Sequence, residues 1–129
     1  MSWSAVLLAL LVSHMAGDVL LQTDRQAQAK IRGLRDPAGR LALAGHIATY
    51  TLAFLPVLVW IGLEVDILRA LAVGVLVAST HLFIDDGRFV EAWMREVKRT
   101  TQPPRGLSIA VDQSFHILCL LGAALVAAI

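Results

Sequence analysis

Three histidine–aspartate pairs recur at one spacing. His14 and Asp18, His81 and Asp85, and Asp112 and His116 each stand four residues apart. That interval puts two side chains on one face of an α-helix. His46 and Tyr50 repeat it, so the set takes in all 4 histidines of the chain. Neutral imidazole and carboxylate together suit Zn, Mn or Fe, and Mg where oxygen ligands dominate. Facing helices of a bundle can hold one or two such ions. The expected ligands are His14, Asp18, His46, His81, Asp85, Asp112 and His116, with Zn leading the metals. They exceed the needs of one tetrahedral ion. Either two ions bind, or one binds and a remaining carboxylate among Asp18, Asp85 and Asp112 serves as general base. Around them stand Gln22, four after Asp18; Gln113, beside Asp112; Asp86, beside Asp85; Asp24; and Tyr50. Amides, carboxylates and hydroxyls of this kind hold an imidazole tautomer or orient a water. For Asp24 and Asp86 a plain interfacial charge is the equal alternative.

The elements that carry these residues are apolar. The chain has 129 residues, 57% hydrophobic and 16% charged, against about 25% charged in a typical soluble domain. Its mean hydropathy is +0.71. A soluble domain, a disordered chain and a disulfide scaffold all fit poorly. The lone Cys119 excludes an internal disulfide and a cysteine-rich metal site. Four apolar blocks, at about 3–22, 41–63, 67–85 and 107–129, each approach the roughly 20 residues a helix needs to cross a hydrocarbon core. They are continuous rather than alternating, which argues against a barrel. The expectation is an all-α fold: a four-helix transmembrane bundle in a single integral membrane domain over 1–129. The first block lacks a basic start, and His14 and Asp18 interrupt it, so it reads as a helix rather than a signal peptide. Pro56 predicts a kink in the second helix. Gly17, Gly45, Gly74 and Gly122 predict close helix contacts.

Charge sets the expected topology. Residues 23–40 carry Arg25, Lys30, Arg32, Arg35 and Arg40, and residues 88–106 carry Arg88, Arg95, Lys98, Arg99 and Arg105. Only Arg69 lies elsewhere, so four crossings put ten of the 11 Lys and Arg on one side. The positive-inside rule makes that side cytoplasmic and both termini external. The protein is then expected in the bacterial cytoplasmic (inner) membrane. In each of the three pairs the Asp falls nearer the cytoplasm, with the His about 6 Å deeper at 1.5 Å per residue. The order reverses in the one helix that runs the other way. A layer of carboxylates over a layer of imidazoles is the expectation, on the cytoplasmic side. In the second connector Phe89, Trp93, Met94 and Val97 fall at helical spacing, which predicts a short interfacial helix between helices three and four, ended by Gln102-Pro103-Pro104. In the first connector Gly33, Pro37 and Gly39 mark the second half as a loop.

The run His14-Met-Ala-Gly17-Asp18-Val-Leu-Leu21-Gln22-Thr-Asp24, then His46 with Tyr50, His81-Leu-Phe-Ile-Asp85 and Asp112-Gln113-Ser-Phe-His116, resembles a family of small bacterial integral membrane proteins. That family is a domain of unknown function, the one numbered 3307. The resemblance runs from Leu8 to about Leu120 and implies a four-helix membrane protein with this His/Asp set as its site. It implies no activity. It also leads one to expect a lysine soon after Asp85, where Arg88 is the nearest basic residue. A more distant similarity is to membrane-bound metal-dependent hydrolases with HxxxD on a transmembrane helix.

Three functions compete on these residues. The first is a metal-dependent hydrolase acting on a lipid or phosphoester that enters from the cytoplasmic leaflet, where the basic connectors attract anionic headgroups. The second is a metal-ion or proton transporter. The third is a structural or accessory membrane subunit held by interhelical His–Asp hydrogen bonds, worth about 0.6 to 2 kcal/mol each. Paired histidines also admit haem. Membrane lipids, an amphiphilic substrate and a second copy in a homodimer are the expected partners. A net charge of +1 gives no argument for nucleic acid. GxGxxG, Walker A and GxSxG motifs are absent.

Overall fold

The computed structural model describes residues 1–30 and 33–129, and the side chains of all these but Ala29 and Lys30. The basic Arg32 thus lies outside the described residues, as does the Lys30 side chain. Helices run as α1 (Trp3–Met15), α2 (Asp24–Lys30), α3 (Pro37–Ala53), α4 (Leu55–Glu64), α5 (Ile67–Asp85), α6 (Arg88–Glu96) and α7 (Arg105–Ala128). No strand occurs among the described residues. The chain from Trp3 to Leu20, α5 and α7 are each long and apolar enough to cross a membrane. The α3–α4 pair, bent by 47°, makes a fourth crossing if both halves form one span. The helices pack as a bundle: α7 lies between α1 and α5, and α3 with α4 closes the ring between α5 and α1.

The outside of the bundle is apolar. Leu8, Val12, Leu41, Leu52, Leu63, Leu71, Val75 and Leu118 are all exposed. Such a continuous apolar surface suits hydrocarbon rather than water. The polar groups are inside: all four histidines, Asp85 and Asp86 are buried. In lipid, which offers no hydrophobic drive for helix association, a bundle of this kind would be held by close packing. The fully buried Ala123, Ala124 and Ala127 give α7 a smooth face for that approach.

Local chemistry explains where the elements begin and break. Asp66 caps α5 by accepting the Arg69 backbone N–H at 2.8 Å, and Asp36 caps α3 through Ala38. Pro37 sits in the first turn of α3, where its missing N–H is not needed. The helix therefore starts four residues before the expected 41, and Gly39 is helical rather than part of a loop. The kink expected at Pro56 falls at Phe54. Proline cannot donate to the Leu52 carbonyl and its ring crowds that oxygen. Breaking at Phe54 leaves Pro56 in the first turn of α4.

Two further differences bear on the site. The first apolar block does not run as one α-helix to residue 22. After Met15 it winds into a π-helical turn, Ala16–Leu20, in which Leu21 N bonds Ala16 O at 3.0 Å. Insertions of this kind cluster at functional sites. A short helix, α6, is present between α5 and α7, opened by the left-handed Gly87 (φ 80°). It ends at Glu96, before the Gln102-Pro103-Pro104 stop, because the chain turns back: Thr100 N bonds Met94 O, and Arg99 adopts φ 55°. Val90 and Met94 of α6 are buried against Ile84 and Val111, with Phe89, Trp93 and Phe115 packed beside them. A larger apolar cluster around Leu10, Phe54, Ile61, Val73 and Leu120 fills the other half of the bundle. The polar residues lie between the two.

Candidate metal centre

The cluster draws on α1 and its π turn, α3, α5 and α7. On α5 and α7, straight α-helix delivers the four-residue pairs as spaced: His81 Nε2 is 3.4 Å from Asp85 Oδ2, and His116 Nε2 is 3.6 Å from Asp112 Oδ2. His14 and Asp18 face different partners, because the π turn between them changes the residues per turn. Asp18 reaches across to α3, with Oδ1 3.2 Å from His46 Nε2. The expected two layers merge into one. His46 Nε2 is 3.2 Å from both Asp18 Oδ1 and Asp85 Oδ2, and 2.9 Å from His81 Nε2.

These contacts define a four-donor group of Asp18, His46, His81 and Asp85. The separations that involve its two histidines run from 2.9 Å to 3.9 Å, and all four donor atoms lie within 4.8 Å of one another. A tetrahedral Zn with bonds of about 2.0–2.1 Å requires donor separations of about 3.3–3.4 Å. The donor set therefore fits such an ion in type, number and spacing. Two carboxylates meeting buried imidazoles also call for positive charge, from a cation or from protons on the rings. Two other groups have metal-ligating composition: Asp85, Asp112 and His116, and His14, His81 and His116.

Hydrogen bonding separates His14 from the other histidines. Gln113 Nε2 lies 3.1 Å from Asp18 Oδ2 and 3.2 Å from Asp112 Oδ2. Carboxylates only accept, so this end of the amide is the donor. Gln113 Oε1 then accepts from His14 Nε2 at 3.0 Å, and His14 Nδ1 accepts from the Tyr50 hydroxyl at 2.9 Å. Both ring nitrogens of His14 are thus engaged, and its action on the ligands passes through Gln113. The Tyr50 ring stacks on His81, with centroids 3.5 Å apart and planes 11° apart. Gly17 makes room for that ring: a Cβ there would lie 2.8 Å from Tyr50 Cδ2 and 3.2 Å from Tyr50 Cα.

The remaining expected residues fall as follows. Gln22 borders a cavity beside Asp18, and its buried Nε2 has no hydrogen-bond partner among the described residues. Asp86 ties the first connector to the end of α5: Oδ1 accepts from Leu34 N at 2.7 Å, and Oδ2 pairs with Arg88. Asp24 is exposed at the start of α2 and belongs to none of the three donor groups.

The cavity has a volume of about 780 Å³. Asp18, Asp85, Asp112 and Gln113 border it on one side, and Ile84, Val90, Met94 and Ile109 supply apolar wall. Arg95 and Arg105 also line it, and the sequence reading did not single them out as site residues. Arg105 had a legible signal, because residues 105, 108, 109 and 112 follow at helical intervals on α7.

The family model described as "Protein of unknown function (DUF3307)" matches residues 6–128. The chain belongs to this family. Searches of curated proteins and of solved structures each returned no match. Family membership therefore names no chemistry, and the cluster has to be read from its own geometry.

Proposed function

We propose that this protein is a metal-dependent hydrolase of the bacterial inner membrane, acting on a lipid or other phosphoester from the cytoplasmic leaflet. One observation carries the reading: the aspartate donors Asp18, Asp85 and Asp112 border a cavity that combines carboxylates, arginines and apolar wall. A phosphate-bearing amphiphile has matching parts. Its anionic group complements Arg95 and Arg105 and can accept from the orphan Gln22 amide. Its chain complements Ile84, Val90 and Ile109. A divalent cation held among these His and Asp donors would supply Lewis-acid polarisation of a phosphoryl oxygen.

The protein's own groups divide the remaining work. Gln113 holds the Asp18 and Asp112 carboxylates at fixed orientations. His14, itself bonded by the Tyr50 hydroxyl, holds Gln113. Asp112, whose side chain is 29% exposed, borders the cavity and takes the proton of the attacking water. The water oxygen bonds to phosphorus, the ester P–O bond breaks, and the departing alcohol takes up a proton.

In this reading the bent α3–α4 pair is one span, giving four crossings. Both termini are external, and α2 and α6 lie at the basic cytoplasmic face. Transport is the competing reading. The apolar cluster that fills the other half of the bundle supports a site reached from one side instead.

The test is turnover by purified protein in nanodiscs, loaded with Zn or Mn. Phosphatidic acid and p-nitrophenyl phosphate are the substrates, and released phosphate is measured. Metal-dependent release, lost in Asp85→Asn, is expected. Stoichiometric metal with no turnover, together with ion flux in liposomes, would overturn the hydrolase reading in favour of transport.

A further inference from the structure

We propose that Asp85 bridges two divalent cations, the second one held by Asp85, Asp112 and His116. The inference rests on the metal-binding part of the preceding section and deepens it.

The two oxygens of the Asp85 carboxylate face different groups. Asp85 Oδ2 faces the four-donor group, 3.2 Å from His46 Nε2 and 3.4 Å from His81 Nε2. Asp85 Oδ1 faces the other way, 3.4 Å from His116 Nε2. That nitrogen is in turn 3.6 Å from Asp112 Oδ2. A single ion cannot use both sets, whereas a carboxylate bridging two ions uses both at once. Two-metal sites of hydrolytic enzymes hold their ions about 3.5–4 Å apart, a spacing one carboxylate spans.

A second observation concerns the His116 imidazole nitrogen Nε2, which stands 3.4 Å from Asp85 Oδ1 and 3.6 Å from Asp112 Oδ2 without a properly aligned hydrogen bond. His116 is almost fully buried, and its Nε2 has no hydrogen-bond partner among the described residues. An orphaned ring nitrogen is costly in a buried bundle. A cation between it, Asp85 Oδ1 and Asp112 Oδ2 satisfies it.

Charge and protons can be balanced. His81 Nδ1 and His116 Nδ1 are 3.1 Å apart, so only one proton fits between them. With ions on both Nε2 atoms, the two rings share that proton and carry one negative charge. This charge and the three carboxylates neutralise two dications.

The two positions differ in kind. The first has four protein donors, the complement of a closed structural site. Both positions have two aspartates on the cavity, Asp18 and Asp85 for the first and Asp85 and Asp112 for the second, but the second has only three protein donors. Three protein ligands with an open position are the pattern of a catalytic ion. The second ion is therefore the one that meets substrate. Asp112, binding through one oxygen, keeps the other for the proton of the attacking water.

The experiment measures bound metal per chain in detergent-purified protein, and the EPR spectrum of the Mn(II)-loaded wild type. Two tightly bound ions per chain and an exchange-coupled Mn(II) signal are expected. His116→Gln should bind one ion and give an isolated six-line Mn(II) spectrum. The wild-type spectrum decides even if that variant fails to fold. One ion per chain, with an isolated signal in the wild type, overturns the bridge and leaves the single-ion centre standing. No bound ion overturns both.

Discussion

Replacing Gly17 with alanine should loosen the site from behind. The added Cβ would lie 2.8 Å from Tyr50 Cδ2 and 3.2 Å from Tyr50 Cα. The Cα is backbone and cannot rotate away. The ring is held by its stack on His81 and its bond to His14. Forcing a methyl into such a contact costs about 1–3 kcal/mol. Alanine in place of a helical glycine returns about 0.5–1 kcal/mol. The net is a loss centred near 1 kcal/mol and reaching about 2.5 kcal/mol, so roughly 5-fold in the folding equilibrium at the centre. Gly122 is the control, because a Cβ there meets nothing within 4 Å. Gly122→Ala should stabilise by about 0.5–1 kcal/mol. Reversible unfolding in mixed micelles, driven by SDS and followed by circular dichroism, reads both. The two variants should move the midpoint in opposite directions. A Gly17→Ala midpoint equal to or above wild type would refute the close contact between the π turn and α3.

Three other substitutions probe separate parts of the account. Gln113→Leu removes the amide that bonds both Asp18 and Asp112, and should weaken metal binding about 10–100-fold with helix content unchanged, by chelator competition. Met94→Ala empties the contact that seats α6 and should cost about 2–5 kcal/mol locally, read as faster hydrogen exchange across Arg88–Glu96. Asp66→Ala removes the α5 cap, at the opposite end of that helix from Asp85, and should lower the unfolding free energy read from the SDS transition by about 1 kcal/mol while leaving metal content intact.

The pairs on α5 and α7 were legible because the four-residue rule holds wherever a helix stays α. His81 with Asp85, and Asp112 with His116, meet as their spacing requires. The same rule misplaces His14 relative to Asp18, because composition does not announce a π turn. The layering by depth along the helix axes was also legible in part. It assumed side chains that point straight out, yet the carboxylates reach along the axis far enough to touch His46. Gln113 was visible only as a neighbour of Asp112. Its hold on two carboxylates and His14 at once depends on how α1 and α7 pack, which no single helix encodes. The cavity takes wall from Thr100, Thr101 and Pro103, which follow the left-handed Arg99 where the chain returns to Met94, a turn no helical periodicity announces.

The most direct test of the metal centre is X-ray absorption at the zinc edge, on wild-type protein reconstituted with zinc in nanodiscs. A shell of nitrogen and oxygen at about 2.0–2.1 Å is expected, with outer-shell imidazole scattering that weakens in His46→Ala. Failure to retain zinc, or a sulfur shell at about 2.3 Å from Cys119, would contradict it.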